Sequence, residues 1–257
     1  MNRYASFSFR GVARVLERAG ARGALLKWRA WESWRFGERE IRLLRYLVDP
    51  RRTAIDIGAA EGVYAFHLRR LAKRCIAFEP NPSSASELKR TLSGVEIHQA
   101  AVSAVEGDAI LRVPIVNDIP YKGWATIEPK NRLAELPSHT VEEIRVRTVC
   151  PDQMELGDVG FIKIDVEGHE LDVLLGLSEL LARCRPNLLI EVGAAQRGGS
   201  LAEVRRHLDP LGYVALKVDE RGLLRALAGD AELKNSMNVI FIAMTDVRGV
   251  GSLEGRS

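Results

Sequence analysis

The stretch Phe161-Ile-Lys-Ile-Asp165-Val-Glu167-Gly168-His169-Glu170 decides the fold. An apolar strand carries Lys163 and Asp165 to its end, and the chain then turns at a glycine and enters a helix. Ligands of open α/β sheets bind outside the carboxyl ends of the strands. The stretch therefore predicts one wall of a binding site in such a sheet. Four ionisable side chains lie within six residues at the end of this strand and after it, and these are Asp165, Glu167, His169 and Glu170.

A second strand and turn lie upstream, in Thr53-Ala-Ile-Asp56-Ile-Gly58-Ala-Ala-Glu61-Gly62. This strand also ends in an acid, and Gly58 allows a sharp turn with close approach of the backbone to a ligand. Gly62 lets the following helix pack near the ligand or the strand. A third strand ends at Glu79, 23 residues after Asp56, which is the spacing of a βαβ unit whose acid binds a ribose.

The glycine pattern favours one class of cofactor over another. A dinucleotide fold requires G-x-G-x-x-G, whereas this turn reads D-x-G-x-x-x-G. An acid at the end of the strand repels a pyrophosphate and suits a ligand with an amine, a sulfonium and a ribose. S-adenosylmethionine (SAM) is such a ligand. The predicted contacts with SAM are Asp56, Gly58, Ala59, Gly62, Glu79, Pro80, Ser103 and Asp165.

Five motifs, in order along the chain, resemble the FkbM family of SAM-dependent O-methyltransferases. They are Asp56-Ile-Gly-Ala-Ala-Glu-Gly62, Phe78-Glu-Pro-Asn-Pro82, Ala101-Val-Ser103, Lys163-Ile-Asp-Val-Glu-Gly-His-Glu170 and Arg185-Pro-Asn-Leu-Leu-Ile-Glu191. The resemblance covers about residues 50–195. Two positions depart from the family pattern. Ala60 replaces an asparagine, so a polar contact near the cofactor is lost or replaced, and Thr148-Val-Cys-Pro-Asp152 replaces T-L-D.

The resemblance implies a Rossmann-like class I methyltransferase that acts on a hydroxyl of a sugar, a glycan or a glycosylated natural product. Such a transfer requires alignment of the reactants and removal of a proton from the acceptor. Asp165 is predicted to be the base or to orient the acceptor, with Glu191 and Lys163 in support. We predict a site without metal, and a divalent cation held by Asp165 and Glu191 is the less favoured alternative. The predicted contacts with the acceptor are Glu167, His169, Glu170, Trp124 and Thr126.

The same residues also have structural interpretations. An aspartate at the end of a strand caps the following turn or helix, which applies to Asp56 and Asp165. Acids in a first helical turn complement the helix dipole, which applies to Glu170. His169 occupies a position that the family leaves variable, and this favours a non-catalytic role. Two other classes of protein also stay open, a nicotinamide-dependent oxidoreductase and a binding module without activity.

Apolar runs and helical patterns alternate from Thr53 onward, which predicts a mostly parallel seven-stranded sheet with helices on both faces. The predicted strands are 53–57, 75–79, 95–100, 160–165, 187–192, 212–218 and 238–244. The last two are predicted to form a hairpin at the edge of the sheet. The predicted helices are 62–73, 82–92, 169–182 and 200–209.

The chain divides into three parts around this sheet. A helical extension occupies 1–50, the methyltransferase domain spans 51–247, and 248–257 is predicted to be a disordered tail. Within the domain, the stretch 108–149 interrupts the alternation. It contains two extra predicted strands, at 110–113 and 144–148, and is the predicted substrate-covering insertion.

The helical extension is rich in arginine and is predicted to contain two or three helices, with a break near 20–23. We favour a helical face that packs on the sheet with five apolar residues partly buried. These are Leu25, Trp28, Trp31, Trp34 and Phe36. A peripheral membrane contact through the basic helices and a homodimer contact are the two alternatives.

The composition limits the class of protein further. Hydrophobic residues make up 46% of the chain and charged residues 28%, which is ordinary for a globular domain. The net charge of +3 gives no argument for a nucleic-acid partner, and we predict none. The 3 cysteines, an odd number without a C-x-x-C pair, favour a reducing compartment, and a cytoplasmic location is predicted.

Overall fold

A computed structural model of the chain describes residues 15–16, 20–129, 139–192, 200–219, 221–227 and 237–243. The described α-helices are α1 (Arg22–Phe36), α2 (Glu40–Leu47), α3 (Val63–Leu71), α4 (Pro82–Thr91), α5 (Glu170–Gly176), α6 (Ser178–Cys184) and α7 (Leu201–Leu208). The described strands are β1 (Thr53–Ile57), β2 (Arg74–Phe78), β3 (Glu96–His98), β4 (Ala101–Val102), β5 (Gly107–Val116), β6 (Ile119–Pro120), β7 (His139–Val149), β8 (Val159–Ile164), β9 (Asn187–Val192), β10 (Tyr213–Val218), β11 (Leu224–Ala226) and β12 (Met237–Ala243). The predicted tail at 248–257 lies outside the described residues.

The main sheet has eight strands in the order β11-β10-β12-β9-β8-β1-β2-β3. Five neighbouring strands of this sheet are parallel to one another, as the alternation predicts, and these are β9, β8, β1, β2 and β3. β12 runs antiparallel to both β9 and β10. The predicted number of strands is one too low, because β11 has only 3 residues and shows no detectable pattern. The predicted hairpin is correct in its pairing of β10 with β12 but wrong about the edge, which β11 occupies.

Both faces of the main sheet are covered, so its central strands are buried along their whole length. Every residue of β1 and β8 is buried, as expected for parallel strands. Ile55 and Ile57 pack on one face with α5, α6 and α7. Ala54 packs on the opposite face with α1, α2, α3 and α4. Because side chains alternate along a strand, Asp56 points to this second face.

Within the described residues, the predicted insertion 108–149 contributes β5, β6 and β7 to a second sheet, which β4 joins in the order β4-β7-β5-β6. β5 and β7 pair from Gly107 opposite Thr148 to Val116 opposite His139. The predicted strands at 110–113 and 144–148 are therefore parts of a longer ribbon. β4 follows β3 closely in the chain and brings this second sheet to the carboxyl edge of the main one.

The helices follow the predicted order with two differences. The predicted helix 169–182 is interrupted at Leu177, where α5 ends and α6 begins. The helical extension has a break at 37–39, between α1 and α2, in addition to the one near 20–23. Among the described helices, none has the length and apolar character needed to cross a membrane.

The described part of the helical extension packs on α3 and α4. Leu26 and Ala30 of α1 belong to the same apolar cluster as Leu68 and Leu88. Leu25 is buried as predicted, but three aromatic residues that were expected to be partly buried are exposed, because they lie on the outer face of the extension. Their exposed fractions are 44% for Trp31, 46% for Trp34 and 52% for Phe36.

Candidate active site

A pocket opens at the carboxyl ends of β1, β2 and β8, beneath the insertion. It holds about 620 Å³ when counted out to its open mouth, which is the size range of small-molecule sites. The predicted site residues that line it are Gly58, Glu79, Pro80, Asp165, Glu167 and His169. The other predicted site residues lie behind or beside its lining. These are Asp56, Ala59, Gly62, Ser103, Trp124, Thr126, Lys163, Glu170 and Glu191.

The turn after β1 can be made only by a glycine at position 58. Gly58 has a φ of +79°, and a Cβ atom at this position would lie 1.8 Å from the carbonyl oxygen of Asp165. The Gly58 N–H donates to the carbonyl of Phe78 over 3.0 Å. The turn is therefore pressed between β2 and the segment that follows β8, and it forms the floor of the pocket.

Glu79 presents a buried carboxylate at the end of β2. Its Oε2 accepts from the N–H of Ala60 at 2.7 Å, and its Oε1 accepts from the N–H of Asn81 at 2.8 Å. Loss of water outweighs these two bonds and raises the pKa of Glu79 to about 7. Each oxygen retains a further lone pair, so the carboxyl group can still accept bonds from ligand hydroxyls.

Ala60 adopts a left-handed backbone conformation, with a φ of +47°. Asparagine tolerates this conformation better than alanine does. The left-handed backbone conformation thus gives a reason, in addition to any polar contact, for the asparagine that the FkbM family has at this position. Ala60 itself contributes its N–H to Glu79 and lines the pocket.

Asp56 and Gly62 support the turn from behind. The Asp56 side chain is fully buried, and its Oδ2 accepts from the N–H of Ala65 in α3 at 2.9 Å. Burial raises the pKa of Asp56 to about 6. A Cβ on Gly62 would lie 2.5 Å from a methyl group of Leu88, so this glycine lets α3 approach α4.

Lys163 and Asp165 form an ion pair at the end of β8. Their Nζ and Oδ2 atoms are 2.7 Å apart, and the Lys163 side chain is 5% exposed while that of Asp165 is 28% exposed. Burial would lower the pKa of Lys163, but the carboxylates of Asp165 and Asp56 outweigh it and raise that pKa. The ammonium group therefore stays charged and fixes the direction of the Asp165 carboxylate. Asp165 Oδ1 accepts no hydrogen bond from the described residues.

His169 sits on the wall of the pocket and is held by its neighbours. Its Nε2 lies 3.0 Å from Ser103 Oγ, and its Nδ1 lies 3.4 Å from Glu128 Oε2 and 3.5 Å from Asp172 Oδ2. Among the described residues, one group of three His, Cys, Asp or Glu side chains has donor atoms close enough to share a cation, and it consists of Glu128, His169 and Asp172. The set includes neither Asp165 nor Glu191, so it lends no support to a cation held by those two residues.

The insertion is attached to the pocket loop by Thr126. This side chain is 1% exposed, and its hydroxyl donates to the carbonyl of Glu167 at 2.9 Å. Trp124 is 42% exposed and packs against Tyr121 instead of lining the pocket. The insertion contributes Leu111 of β5 to the lining, together with four residues beyond that strand, which are Lys122, Gly123, Ala125 and Ile127. No sequence pattern marks these four, because the segment is largely irregular.

Glu170 shapes the turn and does not contact the pocket. Its side chain is 1% exposed, and Oε1 accepts from the N–H of Gly168 at 2.9 Å. The carboxyl group is buried and absent from the pocket lining, and its predicted contact with the acceptor stays a prediction. Burial raises the pKa of Glu170 to about 8.

The buried Glu170 predicts a specific dependence of stability on pH. The folded chain keeps its proton up to about pH 8, whereas the unfolded chain releases it above about 4.5. The protonated carboxyl group therefore stabilises the folded chain fully below about pH 4.5, and this stabilisation is lost as the pH rises through about 8. Glu170→Gln stays neutral and can still accept from Gly168. Its unfolding free energy relative to wild type should rise by about 2 to 4 kcal/mol between pH 5 and pH 8.

Chemical denaturation at the two pH values measures this difference. Glu155→Gln is the matched control, because Glu155 is exposed and its substitution should leave the difference constant. A constant difference for Glu170→Gln as well would contradict a buried, protonated Glu170.

Glu191 is placed beside the site but not in it. It lies on β9, next to the end of β8, and stands opposite Asn238 of β12. β8, which Asp165 follows, and β9 are neighbours in the main sheet. Only Asp165 of the two reaches the lining of the pocket.

The fold and the pocket together define a class of protein. A mostly parallel sheet, a glycine turn after β1 and a buried acid at the end of β2 are the features of a class I SAM-dependent methyltransferase. The family model described as "Methyltransferase FkbM domain" matches residues 56–215. This match spans more than half of the chain, and the chain belongs to the FkbM methyltransferase family.

The chain is also similar to individual proteins. Methyltransferase 1 of Beauveria bassiana (strain ARSEF 2860) is 26% identical over an alignment of 182 residues, and the match covers 62% of this chain and 71% of that protein. Methyltransferase FkbM from Methylobacillus flagellatus KT has a TM-score of 0.49 at 17% identity, covering 82% of this chain and 47% of that one. This chain thus spans just under half the length of that solved protein. Magnesium protoporphyrin IX methyltransferase from Synechocystis PCC 6803, solved with bound SAM, has a TM-score of 0.41 at 11% identity, over 76% of this chain and 71% of that one.

Proposed function

We propose that this protein transfers a methyl group from SAM to a hydroxyl oxygen of a sugar, a glycan or a glycosylated natural product. The observation that carries the proposal is the Asp165 carboxylate, which lines the pocket with one oxygen fixed by Lys163 and the other open. A carboxylate in this position can take the proton of a hydroxyl acceptor. The family membership favours this function over a nicotinamide-dependent oxidoreductase.

The residues of the pocket fit SAM. Glu79 would accept hydrogen bonds from the ribose hydroxyls, since both of its oxygens have lone pairs left beyond their backbone partners. Val102 and Leu111 offer an apolar surface for the adenine ring. The floor at Gly58 has no side chain, so a ligand can approach the backbone there. When bound, SAM supplies an activated methyl group on a sulfonium.

The chain itself would contribute alignment and proton transfer. Asp165 Oδ1 would accept a hydrogen bond from the acceptor hydroxyl and take its proton as the new bond to oxygen forms. Lys163 holds the other oxygen at 2.7 Å, which keeps the carboxylate in one orientation. Asp56 faces Lys163 across the β1–β8 register and supports the charge of the ammonium group.

The insertion would cover the reacting groups. Thr126 ties it to the loop that carries Asp165 and Glu167, and Lys122 and Ile127 close the side of the pocket. Exclusion of water strengthens the electrostatic interactions inside such a site. Substrate covering by this insertion is therefore part of the proposal.

A methyl-transfer assay tests the proposal. The protein is incubated with methyl-labelled SAM and a panel of methyl hexopyranosides, each paired with an amino sugar and a thiosugar of the same configuration. Mass spectrometry of the products should show an O-methyl ether on at least one hydroxyl compound. Methyl transfer to nitrogen or sulfur alone, or to no member of the panel, would contradict the proposal.

A further inference from the structure

The loop between α1 and α2 reaches across the carboxyl edge of the main sheet through Glu38. The Oε2 atom of Glu38 accepts a hydrogen bond from the hydroxyl of Tyr64. The same oxygen accepts from Nδ2 of Asn238 at 2.9 Å. Two donors on two different elements therefore fix this carboxylate in one orientation.

These two donors locate Glu38 above the strands that carry the site. Tyr64 is in the first turn of α3, directly after the β1 turn. Asn238 is on β12, opposite Glu191 near the carboxyl end of β9. β8 lies between β1 and β9 in the sheet, and Asp165 follows its last residue. The Glu38 bridge thus spans the strand end at which Asp165 is placed.

A continuous polar path joins Glu38 to Asp165. Lys163 Nζ lies 2.7 Å from Asp165 Oδ2 and 4.8 Å from the centroid of the Tyr64 ring, whose hydroxyl bonds Glu38. Burial and the charge of Glu38 raise the pKa of Tyr64, so this hydroxyl stays a donor. The path aligns two carboxylates along one edge of the sheet.

The second oxygen of Glu38 is available to a ligand. Glu38 is exposed, and both of its hydrogen bonds from the described residues go to Oε2. Oε1 receives none from that part of the chain. An exposed carboxylate that is held by two donors, with one oxygen left open, is preorganised to accept a bond from a ligand.

We propose that Glu38 binds the acceptor by accepting a hydrogen bond from a second hydroxyl, while Asp165 receives the hydroxyl that is methylated. This inference rests on the proposed function and narrows it. Two oriented carboxylates suit an acceptor with at least two hydroxyl groups, and a mono-alcohol would use only one of them. The helical extension is then part of the acceptor site, through the loop at 37–39.

The test uses Glu38→Gln. The glutamine can still accept from Tyr64 and Asn238, but its NH₂ group cannot accept a bond from an acceptor hydroxyl. With a methyl hexopyranoside of the panel as acceptor, KM for the sugar should rise roughly tenfold or more. The Kd for S-adenosylhomocysteine (SAH) and the Tm should stay close to wild type. Glu32→Gln, on α1 and outside the site, is the matched control and should leave all three values unchanged.

A binding measurement separates this inference from the proposed function. Saturation-transfer NMR on the SAH complex should show contact between wild type and the methyl hexopyranosides, and this signal should be lost in Glu38→Gln. Sugar binding without any methyl transfer by wild type would overturn the proposed function alone. Equal sugar binding by wild type and Glu38→Gln, or no sugar binding by wild type, would overturn the role of Glu38.

Discussion

Gly58→Ala is expected to abolish measurable SAH binding and to lower the free energy of unfolding by about 3 kcal/mol or more. The new Cβ would lie 1.8 Å from the Asp165 carbonyl oxygen and 2.9 Å from its carbon. That carbonyl cannot move aside easily, because the Asp165 N–H is bonded to the Ile57 carbonyl at 3.0 Å. The end of β1 and the segment after β8 would have to separate, which destroys the floor of the pocket.

Gly94→Ala isolates the part of this effect that comes from the backbone conformation. Gly94 has the same φ of +79°, but no atom lies within 4 Å of the position of its Cβ. Its substitution should cost only about 1 to 2 kcal/mol and leave SAH binding intact. Thermal unfolding and calorimetric titration measure both quantities for both variants. Equal losses in the two variants would contradict the close approach of the β1 turn to Asp165.

Asp165→Asn is expected to lower kcat for methyl transfer by about 10²- to 10⁴-fold. The amide has nearly the same shape but cannot take the proton of a hydroxyl. Glu79 and the Gly58 turn are unchanged in this variant, so the Kd for SAH should stay within about fivefold of wild type. The comparison of kcat with Kd therefore separates proton transfer from cofactor binding.

Asp118→Asn is the control for Asp165→Asn. Asp118 is an exposed residue of the insertion with a φ of +61°, which asparagine also tolerates. Its kcat should equal that of wild type. Asp165→Asn also loses the ion pair with Lys163, and we expect a modest drop in its Tm. The kcat values are therefore compared at a temperature well below the Tm of wild type and of the variant. A kcat within fivefold of wild type would contradict the assignment of Asp165 as base.

The strands with strong local sequence patterns could be predicted from the sequence. β1 and β9 begin and end at the predicted residues, and β8 differs by one residue at each end. Buried parallel strands of five or six residues between glycine turns are the easiest elements to recognise.

How deeply each acidic side chain is buried could not be predicted from the sequence in the same way. Asp56 and Asp165 each lie at the end of an apolar run, and Glu170 begins the helix after the second of these runs, yet only Asp165 of the three lines the pocket. The orientation of a side chain beyond a strand depends on the turn, here on the left-handed Glu167 with its φ of +53°. A sequence pattern with period two does not extend into such a turn.

Contacts between distant segments could not be predicted from one sequence. Glu38 meets Tyr64 and Asn238, which are 26 and 200 positions away along the chain. Lys122 and Ile127 line the pocket, and Thr126 between them in the chain bonds to the carbonyl of Glu167. These placements result from how the helical extension and the insertion pack on the sheet, and no local propensity encodes them.

Calorimetric titration of the purified protein with SAH tests the central claim, that this pocket is a SAM site, most directly. Wild type should bind one SAH per chain in the micromolar range. Glu79→Gln should weaken binding roughly tenfold or more, because one acceptor oxygen for the ribose is replaced by a donor. Glu96→Gln, an exposed acid on the neighbouring strand, should bind like wild type. Absence of binding by folded wild type, or equal binding by Glu79→Gln, would contradict the account.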